Sequence, residues 1–239
     1  PERVRKALLA STGACERYPD PLCRELCRSI GAWEGVPAEW ILCGNGASDL
    51  IWRLPLALRP RQALVTAPTF ADYEAALTAA RCRVARHPLV EERGWRIEED
   101  LVESIRGNDL VFLCNPNNPA AVTYDNILSV LHMLRAPRVL IDNSYREFLH
   151  GQASYMENHR GAYTTALRQG VSLFTLHSFT KFFCCPGIRL GYLMGERTAI
   201  ARMRSRQPSW SVSPYAQAMG GVFLEHIEEY RQTLPRLNQ

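Results

Sequence analysis

Short apolar runs alternate with longer, helix-like segments along the whole sequence. Each run is nearly continuous, which is typical of strands that are covered on both faces. Six strands are predicted, at Trp40–Cys43, Gln62–Thr66, Leu110–Cys114, Arg138–Ile141, Ser172–Leu176 and Arg189–Met194. Helices are predicted at 21–33, 47–58, 71–81, 98–106, 123–135, 196–206 and 214–230. This alternation predicts an α/β domain with a mostly parallel sheet covered by helices on both faces.

Composition supports a globular domain and excludes several other classes. The 239 residues are 46% hydrophobic and 22% charged, so the chain can bury a substantial core. Its longest apolar runs are far shorter than a membrane span, and no apolar leader follows Pro1, so we expect a cytoplasmic protein without a membrane partner. The net charge is +4. The densest basic run, Arg202–Arg206, is interpreted as a solvated helix face; a nucleic-acid surface is the alternative, but no supporting motif accompanies it.

The cysteine pattern argues against a metal site. Eight cysteines are present, and none forms a C-x-x-C pair with the spacing of metal ligands. Several lie inside apolar runs, so we expect buried free thiols in a reducing compartment and no bound metal.

Unusual residues follow five of the predicted strands. In sheets of this kind, ligands bind beyond the carboxyl ends of the strands, so these loops are expected to meet at one edge. The five loops are 44–49 (GNGASD), 67–73 (APTFADY), 115–119 (NPNNP), 142–145 (DNSY) and 177–181 (HSFTK).

Lysine is almost absent from a chain rich in arginine. Of the 28 basic residues, only Lys6 and Lys181 are lysines. Arginine does not lose its proton in proteins, whereas a lysine can become a free amine, so Lys181 is a candidate nucleophile. The alternative is a chance surface lysine.

The glycines of loop 44–49 precede a predicted helix. Glycine lets the backbone approach an anion, which the free amides of the helix N-terminus then bind. A plain tight turn is the alternative, with Asp49 as a capping residue. The third glycine of a dinucleotide-binding fingerprint is absent.

The segment around Lys181 combines an amine with phosphate-binding groups. Ser178 and Thr180 offer hydroxyls and Arg189 a guanidinium, which together suit a phosphorylated aldehyde bonded to Lys181 as a Schiff base. Asp142 ends a strand, where a buried carboxylate needs a cationic partner such as a pyridinium nitrogen.

Three further side chains suit a flat ring with an oxygen substituent. Tyr145 and Asn118 can both reach a phenolate oxygen beside the Schiff base, and Phe70 can stack on the ring.

These motifs together resemble the fold-type-I pyridoxal-phosphate enzymes of the aspartate aminotransferase superfamily. The motifs GNGASD, PTF, NPNNP, D-x-x-Y and S-F-T-K occur in the order of that family, with Arg189 eight residues after Lys181. The resemblance runs from Tyr18 to about Tyr230. It implies a pyridoxal 5'-phosphate cofactor and an enzymatic activity.

The resemblance also implies a role for each matching residue. Lys181 is the Schiff-base lysine, Asp142 pairs with the ring nitrogen, and Tyr145 acts beside the ring oxygen. The implied cofactor-binding set is Ala47, Ser48, Phe70, Asn118, Asp142, Tyr145, Ser178, Thr180, Lys181, Arg189 and Tyr18. Tyr18 resembles the tyrosine that reaches the cofactor phosphate of a neighbouring subunit, which implies a homodimer.

Two groups within the superfamily are most similar. The stretch 207–213 (QPSWSVS) resembles threonine-phosphate decarboxylases of cobalamin biosynthesis, which implies decarboxylation of L-threonine O-3-phosphate to 1-aminopropan-2-ol O-2-phosphate. Histidinol-phosphate aminotransferases are the alternative. A third interpretation is an inactive fragment that only binds the cofactor.

The sequence also departs from the family pattern. Ala120-Ala121 replaces the usual Thr-Gly, and Asn143 replaces an acidic residue. Residues 1–239 are expected to form the cofactor-binding large domain, with 1–35 leading into it. We expect truncation at both ends, including loss of the small C-terminal domain and its substrate-carboxylate arginine.

Overall fold

A seven-stranded sheet forms the centre of the molecule. In the computed structural model, the described residues are 2–98, 100–124, 138–149, 161, 163–167 and 172–237. The strands are β1 (Ile41–Asn45), β2 (Gln62–Ala67), β3 (Arg83–Pro88), β4 (Leu110–Cys114), β5 (Arg138–Asp142), β6 (Leu173–Ser178) and β7 (Leu190–Gly195). Their order across the sheet is β1-β7-β6-β5-β4-β2-β3.

The predicted mostly parallel sheet is confirmed. β2 runs parallel to β3 and β4, β4 to β5, and β5 to β6. β7 runs antiparallel to both of its neighbours, β1 and β6. The end of β1 and the start of β7 therefore lie at the same sheet edge as the carboxyl ends of the other strands.

Ten α-helices surround the sheet in the described part of the chain. They are α1 (Glu2–Ala10), α2 (Arg24–Glu34), α3 (Ala47–Leu58), α4 (Asp72–Ala79), α5 (Asp100–Ile105), α6 (Phe179–Phe182), α7 (Arg197–Arg204), α8 (Pro214–Glu225), α9 (Ile227–Arg231) and α10 (Leu234–Leu237). Residues 163–167 are also helical. The predicted helix at 123–135 lies almost entirely outside the described residues.

Helices cover both faces of the sheet, as predicted. Successive strand residues enter opposite cores: Phe112 packs in a cluster with α3, α4 and α7, whereas Val111 and Leu113 pack in a cluster with α2 and α8. This alternation is the two-residue period of a strand. Because both faces of β4 are buried, this central strand is apolar throughout.

Several elements differ from the prediction, among them the helices α1, α6 and α10, which were not predicted. β3 was not predicted, because it is an edge strand whose Arg83 and Arg86 face solvent and interrupt the apolar pattern. The single helix predicted at 214–230 ends at Glu225, and a new helix begins at Ile227. His226 lies between them with φ −110° and ψ 17°, and its Nδ1 atom is 2.9 Å from Glu229 Oε1.

None of the helices in the described segments is long and apolar enough to cross a membrane. The same segments contain no cluster of three or more His, Cys, Asp or Glu side chains arranged to hold a metal ion.

Candidate active site

An open cleft with an interior volume of about 90 Å³ lies at the sheet edge where the strand ends converge. Its lining comes from all five of the loops singled out in the sequence: Ala47, Ser48, Ile51, Phe70, Tyr73, Cys114, Asn118, Asp142, Ser144, Tyr145, Ser178, Thr180, Lys181 and Arg189. The cleft therefore contains every predicted site residue except Tyr18.

Register explains why these distant residues meet. Across the sheet, Ser178 pairs with Gly191, and Gly191 pairs with Gly44. On the other side, Cys114 pairs with Asp142. The ends of β1, β4, β5 and β6 and the start of β7 thus form one continuous row beneath the cleft.

Two glycines allow the start of α3 to approach β7 closely. A Cβ atom at Gly191 would lie 2.6 Å from the backbone nitrogen of Ala47. Gly46 has φ +83°, and a Cβ atom there would collide with the guanidinium of Arg189. Any side chain at either position would fill the space beside the first amides of α3. The backbone is thus shaped to admit an anion at this helix N-terminus.

Hydrogen-bond donors surround this end of the cleft. The Ser178 hydroxyl is 2.7 Å from the Thr180 hydroxyl and accepts a hydrogen bond from the Thr180 amide. Arg189 has φ +55°, in the left-handed region that a non-glycine residue occupies at a cost of about 1–3 kcal/mol. Amides, hydroxyls and a guanidinium are the groups that bind phosphate.

Asp49 lies in the first turn of α3, whose N-cap is Gly46 without a side-chain cap, so Asp49 is not the capping residue offered as the alternative. Its Oδ2 atom accepts a hydrogen bond of 2.8 Å from the Asn45 amide, which closes loop 44–49 onto α3. Arg53, one turn further, donates to the same oxygen at 2.5 Å. This ion pair offsets the negative charge of Asp49, so its carboxylate is compatible with an anion nearby.

Asp142 provides a buried carboxylate in the cleft. It is 5% exposed, and its Oδ2 accepts a 2.6 Å hydrogen bond from the Tyr73 hydroxyl. Its Oδ1 accepts a hydrogen bond from the Ser144 amide. Burial raises the pKa of Asp142, although Ser144, Tyr73 and the charge of Lys181 each act to lower it. An additional cationic partner would therefore stabilise the ionised form.

The remaining predicted residues surround the same space. Lys181 lies at the end of α6, and its side chain is accessible from the cleft. Phe70 packs edge-on against Tyr73, with ring centroids 5.6 Å apart. Burial raises the pKa of the Tyr145 hydroxyl, and the nearby Cys114 and Asp142 raise it further.

Tyr18 lies outside the cleft. Its side chain is 81% exposed, and its ring lies 4.5 Å from that of Trp210, which is itself half exposed. Its assignment to a neighbouring subunit's site stays a prediction.

Sequence reasoning missed four residues that line the cleft: Ile51, Tyr73, Cys114 and Ser144. The sequence does indicate Tyr73 as a candidate. It follows Phe70 by three residues at the start of a predicted helix, so both side chains are expected on the same side of that helix. Burial raises the pKa of the Cys114 thiol to about 12, so this side chain lines the cleft in its uncharged form.

The aminotransferase class I and II family matches residues 1–239, the whole of the chain. The chain belongs to this family. Aminotransferases of class I and II depend on pyridoxal 5'-phosphate, and the predicted family and cofactor are thereby confirmed.

Two relatives of this family member are named as enzymes with different reactions. The chain is 33% identical over 94% of its length to a threonine-phosphate decarboxylase of Salmonella typhimurium, of which it covers 61%. It is 31% identical over 97% of its length to a histidinol-phosphate aminotransferase of Desulfitobacterium hafniense, of which it covers 64%. The chain thus spans about three fifths of the length of these curated relatives.

Solved structures share the fold. The histidinol-phosphate aminotransferase of Clostridium acetobutylicum superposes with a TM-score of 0.84 and 26% identity, over 98% of this chain and 68% of that one. The L-threonine-O-3-phosphate decarboxylase of Porphyromonas gingivalis has a TM-score of 0.81 at 22% identity, over 99% of this chain and 72% of that one. The fold is that of the large domain of fold-type-I enzymes.

The cleft of this aminotransferase family member fits the cofactor chemically. One end offers the amides, hydroxyls and guanidinium that a phosphate requires, and the glycines keep that end open. Lys181 offers an amine to an aldehyde, and buried Asp142 offers a carboxylate to a ring nitrogen.

Proposed function

We propose that the cleft binds pyridoxal 5'-phosphate through Lys181 and catalyses reactions of phosphorylated amino compounds. The single observation that carries this proposal is that Lys181, Asp142 and Arg189 line one cleft, although they come from different loops. Ala47, Ser48, Ser178, Arg189 and, more weakly, Thr180 are assigned to the phosphate. Phe70 is assigned to stacking on the ring, and Asn118 and Tyr145 to hydrogen bonds with the ring oxygen.

When bound, the cofactor supplies an aldehyde that condenses with amines and a protonated ring that accepts the electron pair left on the substrate Cα. Asp142 keeps a proton on the ring nitrogen, since its carboxylate is buried and a cationic N–H is the partner it lacks. Tyr73 holds that carboxylate in place through its hydroxyl.

Lys181 has two functions in this mechanism. Its amine would hold the cofactor through the aldehyde, and its Nζ atom, when not bonded to the cofactor, would carry a proton to or from the substrate. Tyr145 and Asn118 orient the ring by donating to its oxygen. The sheet edge fixes all of these groups on one rigid support.

We infer that the substrate is L-threonine O-3-phosphate and that the reaction is its decarboxylation to 1-aminopropan-2-ol O-2-phosphate, a step of cobalamin assembly. Support comes from the Salmonella threonine-phosphate decarboxylase, which is 33% identical over 94% of the chain. A further relative is a bifunctional adenosylcobalamin biosynthesis protein of Leptospira interrogans, 27% identical over 98% of the chain.

Transamination of histidinol phosphate is the second candidate. The Desulfitobacterium aminotransferase is 31% identical over a similar share of the chain. Both reactions use the same cofactor-binding residues. They differ in which bond at the substrate Cα breaks, and this would depend on the groups that hold the substrate.

We also propose a homodimer in the cytoplasm, in which 1–239 forms the large domain and Tyr18 completes the partner's phosphate site. The exposed Tyr18–Trp210 pair supports this, because such an aromatic pair is typical of interaction surfaces. A Lys181→Ala chain mixed with a Tyr18→Phe chain is expected to restore some complete sites. A strictly monomeric protein that binds the cofactor fully would contradict the dimer.

The test of the reaction is to incubate the purified chain and cofactor with threonine phosphate, and separately with histidinol phosphate and 2-oxoglutarate. Release of carbon dioxide with aminopropanol phosphate supports the decarboxylase, and formation of glutamate supports the aminotransferase. Asp142→Asn is the control variant, which should retain the cofactor but lose most turnover. Cofactor binding without turnover of either substrate would support the third interpretation, a cofactor-binding chain without activity.

A further inference from the structure

A fully buried ion pair lies behind the turn that carries Tyr145. Arg146 Nη2 donates a 2.7 Å hydrogen bond to Glu34 Oε1, and the two side chains are 6% and 0% exposed. The Tyr192 hydroxyl donates to the same Glu34 oxygen at 2.5 Å. Burial raises the pKa of Glu34, but Arg146, His177 and the hydrogen bonds outweigh burial and lower it to about 2. Glu34 is therefore a charged acceptor within the core.

The pair joins three distant parts of the chain. Glu34 ends α2, Arg146 follows β5, and Tyr192 lies in β7. Tyr192 also stacks on His177, with ring centroids 4.5 Å apart and planes at 9°. Beyond Arg146 the charges continue through Glu147 to Arg231, whose Nη2 donates to Glu147 Oε2 at 2.9 Å.

The turn bearing Tyr145 separates two cavities. The active-site cleft lies on one side, and a second, smaller cleft of about 30 Å³ lies on the other, lined in part by Asn143, Arg146 and Glu147. Ser144 lines both. Among the described residues, no side chain or backbone group accepts a hydrogen bond from the buried Nδ2 atom of Asn143. Because a cleft lies on each side of the turn, close packing alone does not fix its position.

We propose that Glu34 is a positioning residue that sets the place of the Tyr145 hydroxyl in the cleft through Arg146. Arg146 directly follows Tyr145, and its amide donates to the Asn143 carbonyl at 3.0 Å, which closes the turn. The guanidinium end of Arg146 is held by Glu34, so the turn is anchored on the side opposite the cleft. This inference rests on the proposed function, in which Tyr145 contacts the cofactor.

The test requires a variant that removes the anchor without leaving a buried charge. Loss of Glu34 alone would leave the buried Arg146 with only the longer 3.3 Å contact to Glu147 and would destabilise the fold. Apolar replacement of a whole buried pair is often tolerated. The apolar triple variant is Glu34→Leu, Arg146→Met and Tyr192→Phe. The matched control, Arg93→Met with Glu98→Leu, removes an exposed ion pair of 2.6 Å.

The first measurement uses hydrogen exchange in the cofactor-free protein. We expect the amides of Asn143 and Arg146 to exchange about tenfold faster in the apolar triple variant, the factor expected for loss of one charged hydrogen bond. Amides within β4 and β5 should keep their protection, and the control should match wild type. Unchanged exchange at Asn143 and Arg146 would overturn the proposal.

The second measurement uses the visible absorbance of the bound cofactor. In wild type, Tyr145→Phe should shift the pH midpoint of this absorbance by about one unit, the equivalent of one hydrogen bond. In the background of the apolar triple variant, Tyr145→Phe should shift the pH midpoint of the absorbance by much less than one unit. An equal shift in both backgrounds would overturn the positioning role, even if turnover had fallen. Absence of any bound cofactor in wild type would contradict the proposed function, while hydrogen exchange would still decide whether Glu34 anchors the turn.

Discussion

The hydroxyl of Tyr73 donates a 2.6 Å hydrogen bond to the buried carboxylate of Asp142. Tyr73 lies at the start of α4 and is completely buried, so water does not compete with Asp142 for the hydrogen bond of its hydroxyl. The contact joins the loop after β2 to the end of β5. It gives Asp142 a fixed donor on one oxygen while the Ser144 amide occupies the other.

Replacing Tyr73 by Phe should destabilise the ionised form of Asp142. The Tyr73 hydroxyl lowers the pKa of Asp142, so its removal should raise that pKa further. A hydrogen bond to a charged group contributes about 1.5–3 kcal/mol, so turnover should fall by at least about tenfold while the cofactor stays bound. Carbon-13 NMR of labelled aspartate in the cofactor-free protein would follow the titration. An unchanged Asp142 pKa would contradict this role.

Gly46→Ala should damage both the loop and the anion site. Alanine at φ +83° is strained by about 1–3 kcal/mol, and its methyl group would displace the Arg189 guanidinium. Gly13→Ala is the control, because nothing lies within 4 Å of a Cβ atom there. Thermal unfolding and cofactor titration of both variants would measure the two effects. Wild-type cofactor affinity in Gly46→Ala would contradict the close approach.

Arg189→Ala should reduce the preference for the phosphorylated cofactor. A charged hydrogen bond to phosphate contributes about 1.5–3 kcal/mol, so affinity for pyridoxal phosphate should fall by roughly 10- to 150-fold. Affinity for pyridoxal, which lacks the phosphate, should change little. Arg197→Ala, at an exposed position of α7, is the matched control. An equal loss for both ligands would show that Arg189 acts on the fold and not on the phosphate.

The buried Glu34 should contribute to acid sensitivity. Its pKa is lowered from 4.5 to about 2, so its stabilisation is present above pH 4.5 and is lost as the pH falls towards 2. The expected loss is roughly 3 kcal/mol in the free energy of unfolding. Urea unfolding at several pH values should show a flatter acid limb in the apolar triple variant. If the free energy of unfolding fell equally with decreasing pH in wild type and this variant, Glu34 would not be charged in the folded protein.

The site residues predicted from the sequence meet at the cleft, with the exception of Tyr18. Strand ends carrying Asp142, Ser178 and the glycines of loop 44–49 were recognisable, because buried parallel strands are continuously apolar and the polar residues begin where they end. The rarity of lysine drew attention to Lys181. Each of these signals is local in the sequence. The residues that carry them come together because the strand ends lie at one edge of the sheet.

Long-range pairings could not be predicted in this way. Glu34 and Arg146 are 112 residues apart, and nothing near either residue indicates a buried ion pair. The contact of Tyr73 with Asp142 spans 69 residues and is set by the packing of α4 against the sheet, so the sequence does not predict it. β3 was missed because an exposed edge strand carries arginines and lacks the continuous apolar run.

The proposed function depends most on a covalent bond between Lys181 and the cofactor. The chain makes the measurement unusually clear, because Lys6 is the single other lysine. Borohydride reduction of the protein with pyridoxal phosphate, followed by peptide mass spectrometry, should place the reduced cofactor on Lys181, and Lys181→Arg should carry none. An adduct on Lys6 alone, or no adduct on either lysine, would contradict the account.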